Sequence, residues 1–421
     1  MMPLRRLRWW IIALVCMGTM LNYLARNSLG VLAPTLTKDL GFTTQQYSYV
    51  VASFQLAYTV MQPICGAIID SLGLKVAFAL FAVAWSLANM AHGLAGGWLS
   101  LAFFRGLLGV SESAAIPAGV KAVSEWFPAK DRSVAVGYFN AGTSLGALIA
   151  PPLVIWLSLT YGWRAAFVVT GGLGLVWAAA WFVLYDSPAR HRALSDDQKA
   201  LAPVPPTAAA EPPVPIPMLL RQRNFWALAI ARFLSEPAWQ TFSFWIPLYL
   251  ARERGMDLKS IAAFAWLPFL ASDAGGILGG YLSPFLMKRF NMGLLTSRAS
   301  GVALGGLMMI GPGCVGLVAG PVAAIALFCI GGFAHQMLSV MINTLTTDVF
   351  PQAAVARANG LVGMVGWTGG LSFTLLVGAL VGTVGFGPLF GLLAVFDIVA
   401  AIVLFALMRP IRSDAQRAAL A

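Results

Sequence analysis

Long apolar runs separated by short polar breaks dominate this chain. About twelve of them reach the roughly 20 residues that a helix needs to cross a bilayer. They lie near 9–33, 46–69, 75–95, 98–121, 134–158, 164–185, 224–250, 261–284, 292–317, 320–346, 357–382 and 386–408. The expected fold class is an all-α membrane protein with twelve transmembrane helices in two six-helix bundles. After the sixth run the pattern stops. Asp186 to Arg223 is polar, and Pro203-Val204-Pro205-Pro206 through Pro217 is proline-rich, which predicts an extended linker with a short surface helix at its start. The domains expected are therefore a bundle over 1–185, a cytoplasmic linker over 186–223, and a bundle with a short cytoplasmic tail over 224–421.

The two halves repeat short patterns in register. Phe127-Pro128 is followed by Ala135 and Gly137, and Phe350-Pro351 is followed at the same spacing by Ala358 and Gly360. The loops after the second and eighth spans also correspond, Gly66 to Lys75 against Gly280 to Arg289. Six-plus-six spans with parallel halves predict alternating access around a ligand held at mid-membrane between them.

Composition changes the picture in two respects. Only 10% of residues are charged against 59% hydrophobic, where soluble domains run near a quarter charged. The formal charge of +11 does not indicate nucleic acid. About eighteen of the lysines and arginines fall in loops assigned to the cytoplasm and about five in outward loops, the positive-inside bias. That orients both termini inside, in an inner membrane of bacterial type, and Arg5-Arg6-Leu7-Arg8 with the run behind it reads as a retained first span rather than a cleaved signal. Cys16, Cys65, Cys314 and Cys329 lie in apolar segments without ligand spacing, so neither a disulfide framework nor a metal site is expected. No phosphate-binding glycine pattern stands in a soluble context, and no nucleophile–base constellation points to an enzyme. No cofactor is expected.

The chemistry concentrates on a few polar groups inside the spans. Arg26 and Arg105 are permanent cations at a depth where burial costs a few kcal/mol, about 2.5–3.5 at a helix centre. Such residues face a partner, a cavity or a substrate, and guanidinium matches a carboxylate bidentately. Counting about 1.5 Å per residue, both sit in the outer half of the membrane, as a shared anion site requires. Glu112 follows Arg105 by two turns, on the same face and about 10 Å deeper. That distance is too long for a tight ion pair along the helix and leaves the carboxyl free to carry a proton. Tyr58 and Gln62 share a face of the second span, as Asn22 and Arg26 do on the first, with Tyr23 one residue off that face. Hydroxyl and amide groups of this kind suit a polyol; interhelical hydrogen bonding is their other use.

These residues resemble the major facilitator superfamily. Gly66-Ala67-Ile68-Ile69-Asp70-Ser71-Leu72-Gly73-Leu74-Lys75 is similar to its loop signature, with Ser71 where arginine is common. Within it the chain is most similar to the hexuronate transporters of the anion:cation symporter family. Asn22-Tyr23-Leu24-Ala25-Arg26-Asn27, Ala57 to Pro63, Ser124 to Arg132, Ala231 to Trp239 and Gly331 to Gln336 carry that resemblance. It implies symport of a sugar-acid anion with protons, substrate contact by Arg26, Tyr58 and Arg105, and protonation at Glu112. Many relatives carry a second carboxylate just before the first-span arginine. Here that position is Ala25, so the family's stoichiometry does not carry over, and one titrating carboxylate predicts one proton per monoanion.

In the second half, Trp239 and Gln240 lie midway along the seventh span, and His335 and Gln336 midway along the tenth. A tryptophan face covers the C–H side of a sugar, while glutamine and histidine supply hydrogen bonds. Packing is the alternative role for Trp239 and His335. Arg232 and Glu236 form an i,i+4 pair that neutralises itself, and Asp273 bonds a neighbouring helix. Asp70, Glu125 and Arg132 sit near cytoplasmic ends, where charge networks form and break as gates. The expected function is proton-coupled import of galacturonate or glucuronate by a monomer, with protons, a small organic anion and lipid as partners and no nucleic acid. The alternatives are transport of another organic anion such as an aldonate, and a membrane sensor for a sugar acid. The linker is too short and too proline-rich to serve as a signalling domain.

Overall fold

The computed structural model describes residues 4–127, 132–200, 215–350 and 352–409, and no strand occurs among them. The chain divides into two compact units, Met1–Ala208 and Ala209–Ala421. In the first, α1 (Leu4–Asp39), α2 (Thr44–Leu72) and α3 (Leu74–Ala91) are followed by α4 (Trp98–Glu112) and α5 (Ala115–Trp126). Then come α6 (Arg132–Tyr161), α7 (Trp163–Leu184) and the short α8 (Asp196–Ala200). The second unit contains α9 (Ile216–Leu220), α10 (Arg223–Phe244), α11 (Ile246–Arg254), α12 (Leu258–Phe264), α13 (Leu267–Phe290) and α14 (Leu294–Met308). It ends with α15 (Ile310–Gly313), α16 (Pro321–Val349), α17 (Gln352–Val384) and α18 (Phe386–Leu407). The proline-rich core of the expected linker, 201–214, lies outside the described residues.

Four expected spans are interrupted where the sequence reading drew continuous helices. The fourth breaks at Ser113 and Ala114, directly after Glu112. Pro117 stands on the third residue of α5, and its ring excludes a helical carbonyl four residues back. The seventh breaks at Trp245, with Pro247 in the first turn of α11, and the eighth at Ala265–Trp266 with Pro268 in the first turn of α13. A proline in a first turn fits because its missing N–H has no helical partner there. The ninth breaks at Met309. Elsewhere boundaries follow local chemistry. Thr43 and Gln46 close a reciprocal capping box at the start of α2, and Gly73 at φ +79° makes the tight turn into α3.

Both units use one pairing scheme. In the first, span one packs on span five (α1 on α6), span two on span four (α2 on α4) and span three on span six (α3 on α7). The second repeats this as α10 on α17, α13 on α16 and α14 on α18. Glycines permit the close approaches: a Cβ at Gly146 on α6 meets the Met20 carbonyl and Tyr23 of α1, and one at Gly369 on α17 meets the Phe233 backbone of α10. Small residues at helix crossings are the ordinary solution where lipid supplies no hydrophobic drive between helices. An aromatic stack of Trp85, Trp177, Trp181 and Tyr185 fills the α3–α7 side of the first unit. Among the described residues, ten helical segments are long and apolar enough to cross a membrane. The α2 and α10 segments, which complete the expected twelve, fall outside that group and carry the glutamines and charges discussed next.

Candidate functional site

In the first unit the polar groups of three helices converge. Arg26 on α1 and Glu112 at the end of α4 form an ion pair, with Nε donating to Oε2 at 2.8 Å; the side chains are 5% and 0% exposed. The guanidinium also donates from Nη2 to Asn22 Oδ1 at 3.4 Å. Aromatic rings surround it: Tyr23 at 4.3 Å, Tyr58 at 4.7 Å and Phe54 at 5.3 Å from the guanidinium carbon. Arg105, fully buried, lies over the Phe54 ring at 4.5 Å and donates from Nη1 to the Arg26 carbonyl at 3.3 Å. Aromatic faces stabilise a desolvated cation through their negative quadrupole, by about 2 kcal/mol in such settings.

The sequence reading set Glu112 against Arg105 on its own helix and found it too distant for a tight pair. The structure supplies a different partner, Arg26, from across the bundle. Helical spacing locates a residue's face but not which other helix meets that face. Tyr23, placed one residue off the face, stacks on the guanidinium because the long arginine side chain folds back over the preceding turn. Among the described residues, two buried guanidiniums thus share this cluster with one carboxylate, a surplus of positive charge.

Several buried polar atoms here have no hydrogen-bond partner among the described residues: Glu112 Oε1, Asn22 Nδ2 and both ends of the Gln55 amide. Sequence reasoning missed Gln55 and Phe54. Both were legible as the positions three and four residues before Tyr58, on its side of α2. Gln62 is half-buried and makes no side-chain hydrogen bond among the described residues. His92, fully buried, is bound to the Ala88 carbonyl through Nδ1 at 2.7 Å and belongs to the packing.

Glu125 accepts a hydrogen bond from the Tyr185 hydroxyl at 2.6 Å, and Lys75 pairs with Asp186 at 2.9 Å. Both contacts lie within the first unit. The side chains of Asp70 and Arg132, the other expected gates, lie outside the described residues.

In the second unit Trp239 stacks on His335, with ring centroids 5.9 Å apart and planes 18° apart, and meets Phe269 edge-on. His335 is buried, and its Nδ1 has no hydrogen-bond partner among the described residues. Gln336 is half-buried beside Gly276. Gln240 donates to Glu236 Oε1 at 3.2 Å, and Arg232 pairs with Glu236 Oε2 at 3.0 Å while donating to Ser339 Oγ at 2.6 Å. Asp397 on α18 is fully buried, and the sequence reading passed over it. A lone carboxylate inside the most apolar span was visible by the reasoning that singled out Arg26. Among the described residues no group of histidines, cysteines and acids gathers as metal ligands.

Comparison with known proteins places this arrangement. Residues 15–320 match the family model of the Major Facilitator Superfamily. The chain is similar to a hexuronate transporter of Escherichia coli (strain K12), 48% identical over 97% of this chain and 96% of that protein. It is likewise similar to a galacturonate transporter of Dickeya chrysanthemi, 47% identical over 77% of this chain and 96% of that protein. These relatives are transporters, not enzymes. Among solved structures, a bacterial homolog of the human lysosomal transporter Spinster in an inward-facing and occupied conformation superposes with a TM-score of 0.75. At 16% identity over 95% of this chain and 96% of that one, that likeness concerns the fold.

Proposed function

The chain belongs to the major facilitator superfamily, and from that premise and the charge of the buried site we propose that it imports a hexuronate such as galacturonate or glucuronate together with protons. The observation that carries the proposal is the surplus of guanidinium over carboxylate in the Arg26–Arg105–Glu112 cluster. Such a surplus is costly in an empty membrane protein and is neutralised when a monoanion binds. The 47–48% identical relatives named for hexuronate and galacturonate support the substrate class.

The chemistry is an exchange of partners on Arg26. With Glu112 ionised, its carboxylate holds Arg26 and competes with any incoming anion. A proton taken up on the outer side neutralises Glu112 and releases Arg26, which then clamps the sugar carboxylate together with Arg105. On the inner side Glu112 loses the proton, reclaims Arg26 and expels the anion. Tyr58, Asn22 and Gln55 are assigned to the hydroxyls in the first unit. Trp239, Gln240, His335 and Gln336 of the second unit have the ring face and hydrogen-bonding groups that a sugar requires. The reading includes alternating access, an inner-membrane location and cytoplasmic termini.

The test is uptake of labelled galacturonate into proteoliposomes with acid outside, with and without a protonophore, for wild type and Glu112→Gln. Accumulation should vanish with the protonophore and fall well below wild type in Glu112→Gln, while counterflow survives in the variant. Protonophore-resistant accumulation refutes proton coupling, and stronger competition by galactonate than by glucuronate refutes the substrate assignment.

A further inference from the structure

Among the described residues, the first unit buries two guanidiniums against one carboxylate; the second buries two carboxylates and holds one half-buried guanidinium. Arg232 and Glu236 stand one turn apart on α10, and α18 packs on α10 and brings in Asp397 midway along its length. Both oxygens of Glu236 are engaged, Oε2 by Arg232 and Oε1 by Gln240. Arg232 is committed to Glu236 and to Ser339. Asp397 is fully buried, and neither of its oxygens has a hydrogen-bond partner among the described residues. Arg232 stands on α10, the helix packed against α18.

Among the described residues, the other elements against α18 offer no second cation at that level. On α14 the backbone of Gly306 meets the Asp397 carbonyl, and the helix's Arg298 is paired with Asp348 of α16 at 3.2 Å. Arg223 of α10 donates to the Ala406 carbonyl near the end of α18, and Arg357 of α17 stands near the start of its helix. Neither α15 nor α18 itself carries another ionisable side chain. Among the described residues of these packed helices, one guanidinium at this level is set against two buried carboxylates, Glu236 and Asp397. A buried carboxylate without hydrogen bonds is not kept ionised, because desolvation outweighs what a shared cation returns. Glu236 has both oxygens engaged and Asp397 has neither, so Asp397 is the better place for a proton.

We propose that Asp397 is a second proton-carrying site, set in the second unit by a guanidinium that two carboxylates share. It binds a proton while Arg232 is held by Glu236 and releases it when Arg232 turns to Asp397. The inference rests on the proton-coupled reading above and extends it. With Glu112 and Asp397 each delivering a proton per monoanion, one net positive charge moves inward, and the one-proton expectation from sequence is replaced by electrogenic uptake.

The experiment uses full-length protein in proteoliposomes at equal pH on both sides, with an inside-negative potential set by potassium and valinomycin. For one net charge, about 100 mV supports roughly 50-fold accumulation of labelled galacturonate. Wild type should approach that value. Asp397→Asn should lose the response to potential while keeping uptake driven by a pH gradient and keeping counterflow. Wild-type indifference to potential, an unchanged response in Asp397→Asn, or equal loss of counterflow and accumulation in that variant each overturns the proposal. Infrared spectroscopy of purified wild type carrying aspartate labelled with carbon-13 at the carboxyl needs no variant. A labelled, non-hydrogen-bonded carboxylic acid band at neutral pH is expected, and its absence also overturns the proposal. Protonophore-resistant uptake by wild type would instead refute the underlying symport reading, leaving the infrared result to report on the proton at Asp397.

Discussion

Replacing Glu112 by glutamine keeps the shape of the Arg26 contact and removes its charge. At 2.8 Å between Arg26 Nε and Glu112 Oε2, the gross attraction is about 6 kcal/mol at an effective dielectric of about 20. Breaking a buried pair by removing one partner costs about 3–5 kcal/mol. The glutamine carbonyl still accepts from Nε, which returns about 1 kcal/mol, so a net loss of about 2–4 kcal/mol is expected. For a unit of this size each kcal/mol moves the melting temperature by roughly 2–4 °C, giving a fall of roughly 4–16 °C. Galacturonate should repair much of this, since its carboxylate restores the missing charge without first displacing Glu112. At about 100 times Kd a ligand adds about 2.7 kcal/mol, and the shift should be larger in Glu112→Gln than in wild type. The pH dependence has a definite sign. In wild type the ligand-induced shift grows as pH falls from about 7.5 to about 5.5, a range in which sugar carboxylates stay ionised, because protonating Glu112 releases Arg26. In Glu112→Gln it is flat. The assay is thermal unfolding of purified protein followed by tryptophan fluorescence, with and without galacturonate. A wild-type melting temperature in the variant, or a ligand shift that still grows with acid, would refute the exchange on Arg26.

Three further outcomes follow from the same structure. Arg105→Lys keeps the charge but loses the planar fork; galacturonate affinity measured by calorimetry should fall about 10–100-fold, and an unchanged Kd would remove Arg105 from the clamp. Gly146→Ala drives a methyl into the Met20 carbonyl and Tyr23 on α1 and should cost about 1–3 kcal/mol. Gly66→Ala meets nothing within 4 Å and should be neutral or stabilising by up to about 1 kcal/mol; equal melting temperatures for the two variants would contradict the α1–α6 packing. Tyr185→Phe deletes the 2.6 Å bond to Glu125 and should lower stability by about 1.5–3 kcal/mol, read by denaturant titration, whereas an unchanged midpoint would show that the bond adds nothing.

Hydropathy made the spans readable, because length and apolarity are local properties of the chain. The interruptions were also written locally, in Pro117, Pro247 and Pro268, yet they were read through because the apolar pattern continues across them. What could not be read was partnership. Glu112 was measured against Arg105 because both lie on one helix, while its partner Arg26 comes from another span, and no periodicity states which spans meet. Phe54 and Gln55 were overlooked for a different reason. An aromatic and an amide on a mostly apolar helix gain meaning only when the cation beside them is known. Asp397 needed no structure to be noticed as a membrane-embedded acid. Its significance needed one, since that depends on Glu236 having already taken the hydrogen bonds of Arg232.

The pairing of span one with span five has a consequence for biogenesis. Arg26 enters the membrane 86 residues ahead of Glu112, and α1 waits for the glycine-bearing face of α6 before its own face is covered. Until then the nascent chain holds an uncompensated cation and an unfilled seam in contact with lipid or with the insertion machinery. The first half is therefore recognisable as unfinished until its fourth and fifth spans arrive. A chain stalled after the third span would hold Arg26 without Glu112, and one paused after the sixth would hold the pair.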